Sequence, residues 1–219
     1  MKVAVKVAGL VAGLVVVLGI AFGVTAASHA PGLAHVTRYA AAYSPARLAD
    51  GRIWTLPLSV LLLGHPKALG ITSVMFAALF LPYALSRGLG RSLVTGMAGH
   101  IVSTLVVAAW ALPAAALGSG IATQVVHRTD YGASAFLAAC AGGLTVVIAR
   151  RHPVLGFGLL ALVIAFFVWH LLSVHQLVAN VADVEHLVAL VTGALVEWSL
   201  PVHLFPSPSP ALRGRVARA

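Results

Sequence analysis

The chain has 219 residues, of which 60% are hydrophobic and only 9% charged, with a mean hydropathy of +1.01. A soluble domain would carry about 25% charged residues, so the composition excludes that class and specifies a membrane protein. The net charge of +9 would suit a nucleic-acid binder in a soluble chain. Here the basic residues stand between apolar runs, where they set topology and meet anionic lipid, and no nucleic-acid partner is expected.

Residues 1–27 form a first transmembrane helix. The apolar run over 8–27 follows Lys2 and Lys6, and about 20 apolar residues match a span better than the roughly 7–15 of a signal-peptide core. Val24-Thr25-Ala26-Ala27 resembles a signal-peptidase site, yet the segment is read as retained. Residues 28–67 form an external loop. Within it, 53–64 is apolar but too short to span, is interrupted by Pro57 and is closed by Gly64-His65-Pro66, so it reads as an interfacial or re-entrant segment. Tyr39, Tyr43 and Trp54 belong at the interface.

Residues 68–200 hold spans two to six, at about 68–85, 93–116, 131–149, 154–172 and 184–200, with 118–130 as a polar connection. The fourth span is short and rich in glycine, alanine and serine, which lets neighbours approach closely and places it at the bundle centre. The fifth is bulky, with Phe157, Phe166, Phe167 and Trp169, and suits a lipid-facing helix. Residues 201–219 are a proline-containing, basic tail expected to be disordered.

Alternating the loops places nine basic residues (Lys2, Lys6, Arg87, Arg91, Arg150, Arg151, Arg213, Arg215, Arg218) on one side and five (Arg38, Arg47, Arg52, Lys67, Arg128) on the other. This predicts a plasma (inner) membrane protein with both termini cytoplasmic. Asp50, Asp130, Asp183 and Glu185 fall on the outer side. Glu197, beside Trp198, is read as an inner-interface residue.

Two stretches carry chemistry. Ser134 follows Asp130 by four residues, and His186 follows Asp183 by three. If both segments start at the same face, each side chain sits roughly 5 Å below it. Polar groups at one depth in a membrane bundle are costly and need partners. A histidine in reach of a serine can accept its proton and activate it. The N–H groups in the first turn of the fourth span can hold an oxyanion. Ala189 and Gly193 share a face with His186 and form a small-xxx-small surface for packing on the fourth span. His100 and Thr104 share a face at i, i+4 and read as an interhelical hydrogen-bonding pair, with oxyanion support as the alternative. His170 and His175 have no third ligand at convincing spacing. They read as solvated interface residues, and neither a metal nor a cofactor is expected.

Gly132-Ala133-Ser134-Ala135 is similar to the Gly-x-Ser-Gly motif of the rhomboid intramembrane serine proteases, with Ala135 in place of the last glycine. The stretch from His186 to Gly193 is similar to the histidine-led sixth helix of that family, and Trp54 and the turn Arg87-Gly88-Leu89-Gly90 resemble further landmarks. The arginine that usually follows the tryptophan is Thr55 here. The second-helix histidine and asparagine that hold the oxyanion fall near Gly70 and Val74. The resemblance implies an all-α, six-transmembrane-helix, rhomboid-like bundle with a short central fourth helix. It also implies a Ser134–His186 dyad, with Gly132, His100 and Thr104 as supporting residues. Two activities stay open: an endopeptidase cutting transmembrane-helix substrates near the outer face, and a pseudoprotease binding such helices as clients. In either case the partners are a transmembrane-helix protein and membrane lipid.

Overall fold

The computed structural model describes residues 40–63, 68–129, 132–174 and 176–200, with isolated residues between 9 and 30. The expected first span, much of the external loop and the tail over 201–219 lie outside the described residues. The elements they form are helices: α1 (Pro45–Ala49), α2 (Thr55–Leu58) running into a 3₁₀ turn (Ser59–Leu61), α3 (Ala68–Arg87), α4 (Leu89–Ala116), α5 (Gly120–His127), α6 (Ala133–Ala149), α7 (Pro153–Ser173) and α8 (Leu177–Ser199).

Four helices are long and apolar enough to cross a membrane: α3, α4, α7 and α8, the last over Ala179–Ser199. The chain is therefore an integral membrane protein. The fifth apolar helix, α6, has 17 residues and is about 25 Å long, slightly less than a hydrocarbon core of about 30 Å. Buried residues run along its whole length, whereas α7 buries only Gly156.

Local chemistry explains the joints. Gly88, at φ +90°, is the single residue between α3 and α4, a backbone angle that side chains with a Cβ rarely adopt. Pro82 has no N–H to return to the carbonyl four residues back. Just before it α3 widens into a π turn over Phe76–Phe80, where the Leu81 N–H reaches Phe76 O. Ser44 caps α1 by accepting from the Arg47 N–H at 3.3 Å, with Pro45 in the first turn.

The core has two textures. Phe76, Phe80 and Phe136 form an aromatic cluster with ring centroids 5.4, 5.9 and 5.8 Å apart. Beside it, α4, α6 and α8 meet almost backbone to backbone. A Cβ added at Gly142 would run into Leu190 O, one at Gly193 into Ala139 O, and one at Gly99 into the Ala139 methyl.

Three expectations are corrected. The connection over 118–130 contains a helix, α5, because Ser119 caps it through the Ala122 N–H and Ala122, Val125 and Val126 form an apolar face buried partly on α4. The last helix starts at Leu177 rather than near 184, so Asp183 and Glu185 lie within it and are buried. Tyr43, expected to meet the membrane interface, is instead buried in protein, and its hydroxyl donates to Thr104 O at 3.1 Å.

The glycine contacts generate a test. Gly193→Leu must displace the α6 backbone, and overpacking of this kind costs about 1–3 kcal/mol or more. Ala165→Leu, at an exposed position on α7, should be near neutral. Thermal melts of the purified protein in detergent compare the two; equal stability would count against the close α6–α8 crossing.

Candidate functional site

Gly132, Ser134 and His186 lie at the same end of the bundle. Gly99 on α4 meets both Ala139 on α6 and Ala189 on α8, which gives a common level. Ser134 lies five residues before Ala139 and His186 three before Ala189, so their heights differ by roughly 3 Å. Their directions differ more. The α6 face turned to α8 carries Ala135, Ala138 and Ala139, clustered with Ala189. Ser134 sits roughly 100° round the helix from Ala135 and is exposed. It makes no side-chain hydrogen bond among the described residues. His186 is half-buried and turned to α7, its ring centroid 5.3 Å from that of Phe167 at 39°.

His100 is fully buried and holds the opening of α6 in place. Its Nε2 is 2.8 Å from Leu56 O and 3.0 Å from Ser59 Oγ. A carbonyl can only accept, so Nε2 carries the proton. The Ser59 hydroxyl donates to the same Leu56 O at 3.0 Å, leaving a lone pair for the imidazole N–H. Ser59 and His100 therefore form a clamp, not a nucleophile and its base. Gly132 completes it: its N–H donates to Ser59 O at 3.2 Å, and a Cβ there would overlap the His100 ring. Thr104 Oγ1 donates to carbonyls of its own helix, His100 O at 2.9 Å and Ile101 O at 3.0 Å. Neither His100 Nε2 nor the Thr104 hydroxyl is directed at Ser134.

His170 is corrected from solvated residue to partner: its Nδ1 lies 2.6 Å from Asp183 Oδ2, tying α7 to α8. His175 lies outside the described residues. No cluster of three metal-ligating side chains occurs among the described residues.

A second polar centre lies at the opposite end, and the sequence reading placed its key residue at the interface. Glu197 on α8 is fully buried. Arg91 Nε donates to Oε2 at 2.7 Å, and the Tyr83 hydroxyl donates to the same oxygen at 2.8 Å. Arg87 Nε lies 2.9 Å from Oε1, close in charge but outside hydrogen-bond geometry. Arg150 Nη1 stands 3.6 Å from that oxygen. Arg91 also reaches Glu197 O and Leu200 O at 2.9 and 2.8 Å, and Arg150 reaches Glu197 O and Trp198 O at 3.1 and 3.2 Å. One carboxylate thus gathers the ends of α3, α4, α6 and α8. The legible signal was an isolated acid inside an apolar helix on the arginine-rich side, since an ionisable residue there requires a partner.

Removing one member of a buried ion pair leaves the other charge uncompensated, at about 3–5 kcal/mol. Glu197→Ala should therefore destabilise the bundle by about that much, and His100→Ala, which strips the clamp from Leu56 O, by about 1–3 kcal/mol. Thermal melts in detergent measure both; a Glu197→Ala protein as stable as wild type would refute the buried-pair assignment.

Comparison with protein-family models, curated proteins and solved structures finds no match, so the chain's own geometry carries its functional reading.

Proposed function

We propose that this chain is a rhomboid-like membrane protein that binds transmembrane helices without cutting them. The observation that carries this reading is the divergence of Ser134 and His186: the serine is exposed without a hydrogen bond among the described residues, and the imidazole lies tilted against Phe167. The His100 Nε2–H, a side-chain candidate for oxyanion support, is occupied by Leu56 O.

A place for a client helix lies at the same end. A cleft of about 260 Å³ is lined by Val106, Val107 and Trp110 of α4, Leu171 of α7, and Val181 and Val184 of α8. Among the described residues its polar lining residue is Asn180, whose Oδ1 is buried and makes no hydrogen bond there. Apolar side chains of a passing helix fit such walls, and a serine, threonine or backbone donor on it would satisfy the amide. The arginine asymmetry supports cytoplasmic termini, which puts this cleft in the outer leaflet.

The second reading, an intramembrane serine endopeptidase, is favoured by the common level of Ser134 and His186 and by the N–H groups in the first turn of α6. It requires the imidazole to leave Phe167 and the serine to turn toward α8.

A fluorophosphonate probe and a helical reporter separate the two. Binding without cutting predicts no labelling, no cleavage, and crosslinking of the reporter to Val184→Cys that survives Ser134→Ala. Labelling and cleavage that both vanish in Ser134→Ala and His186→Ala would establish the peptidase. A reporter that neither crosslinks above a scrambled helix nor is cut would remove both readings.

A further inference from the structure

The Glu197 centre does not balance. Three guanidinium groups, those of Arg87, Arg91 and Arg150, meet one carboxylate, which leaves two positive charges at this end of the bundle. No other acid of the chain meets these guanidinium groups among the described residues. Its other acidic residues are Asp50, Asp130, Asp183 and Glu185, and all belong in sequence to the segments of the opposite end. Backbone carbonyls of α8 take some N–H groups from Arg91 and Arg150, but they supply dipoles rather than charge.

The three arginines are not equivalent. The Arg91 side chain is 2% exposed and belongs to the interior, while those of Arg87 and Arg150 are 17% and 30% exposed. Arg87 makes no hydrogen bond among the described residues, so its Nη groups are available as donors. Both outer guanidinium groups approach the same carboxylate oxygen, at 2.9 and 3.6 Å, which holds them side by side with their outer edges accessible. Arg87 is the last residue of its span and Arg150 follows the last residue of α6. The pair therefore stands where the hydrocarbon ends and phosphate begins.

We propose that Arg87 and Arg150, presented by buried Glu197, form a binding site for a phosphate group, with the phosphodiester of an anionic lipid headgroup as its expected source. Adjacent guanidinium forks match phosphate oxygens in geometry as well as charge. Glu197 plays two parts: it orients both forks, and by neutralising only one of three charges it leaves the site cationic. The proposal is independent of whether Ser134 and His186 react.

The test uses the full chain in zwitterionic detergent, with retention of phosphatidylglycerol and of phosphatidylcholine measured by native mass spectrometry. Wild type should prefer phosphatidylglycerol. Arg87→Gln and Arg150→Gln should each reduce that preference about fivefold, from the usual contribution of a basic residue near an anionic membrane. Arg151→Gln, at an exposed neighbour outside the ion pairs of Glu197, should leave it unchanged. Should the Gln variants not fold, Arg87→Lys with Arg150→Lys keeps the charge and removes the forks, and should still weaken the preference. Displacement of lipid by inorganic phosphate at matched ionic strength would assign the same site to soluble phosphate; no displacement assigns it to lipid. Equal retention of the two lipids by wild type, an Arg151→Gln effect as large as that of Arg87→Gln, or full preference in the double Lys variant would overturn the proposal.

Discussion

The fold depends on how closely α6 can approach α4 and α8. Lipid tails are as apolar as leucine, so burying hydrocarbon between helices supplies little net drive, and association rests on van der Waals packing at short range. Gly99, Gly142 and Gly193 remove the side chains that would hold the backbones apart. The shortness of α6 follows from the same constraint. Surrounded by α3, α4, α7 and α8, it behaves as an interior element, and its ends need not reach the headgroups.

Polar groups inside such a bundle are tolerated only when their partners are arranged in advance. The two ends solve this differently. At one, His100, Ser59 and Gly132 satisfy each other and the Leu56 carbonyl without net charge. At the other, Glu197 is ionically paired and also hydrogen-bonded through Tyr83, which itself meets Thr95 Oγ1 at 3.0 Å. The neutral clamp fixes where α6 begins. The charged cluster fixes where α3, α6 and α8 stop.

What the sequence reveals follows from which forces act locally. Apolar runs of span length are legible because the bilayer demands them, as with α4 and α7. The start of α8 was hidden because charge ordinarily marks a helix end, whereas Asp183 is buried within α8 and joined to His170. The short helix α5 was hidden by Gly118, Ser119 and Gly120, which read as loop although Ser119 is a cap. At the candidate site, chain position alone put Ser134 and His186 at neighbouring heights. Their orientation could not be read, because it depends on a turn of one residue about α6 and on Phe167 standing beside His186 from a third helix. Glu197 could be recognised as anomalous, but its three arginines come from separate segments that only tertiary packing brings together.

The π turn in α3 divides that helix into unequal halves. Beyond it, Leu81–Arg87 is anchored by Tyr83, Ala84 and the Glu197 centre. Before it, Ala68–Met75 contributes no buried residue at all. Among the described residues, a rotation about Phe76–Phe80 would swing the N-terminal half sideways without breaking an ion pair. The aromatic cluster of Phe76, Phe80 and Phe136 is then the fulcrum, and the N-terminal half of α3 is a wall that is only lightly held by the described residues.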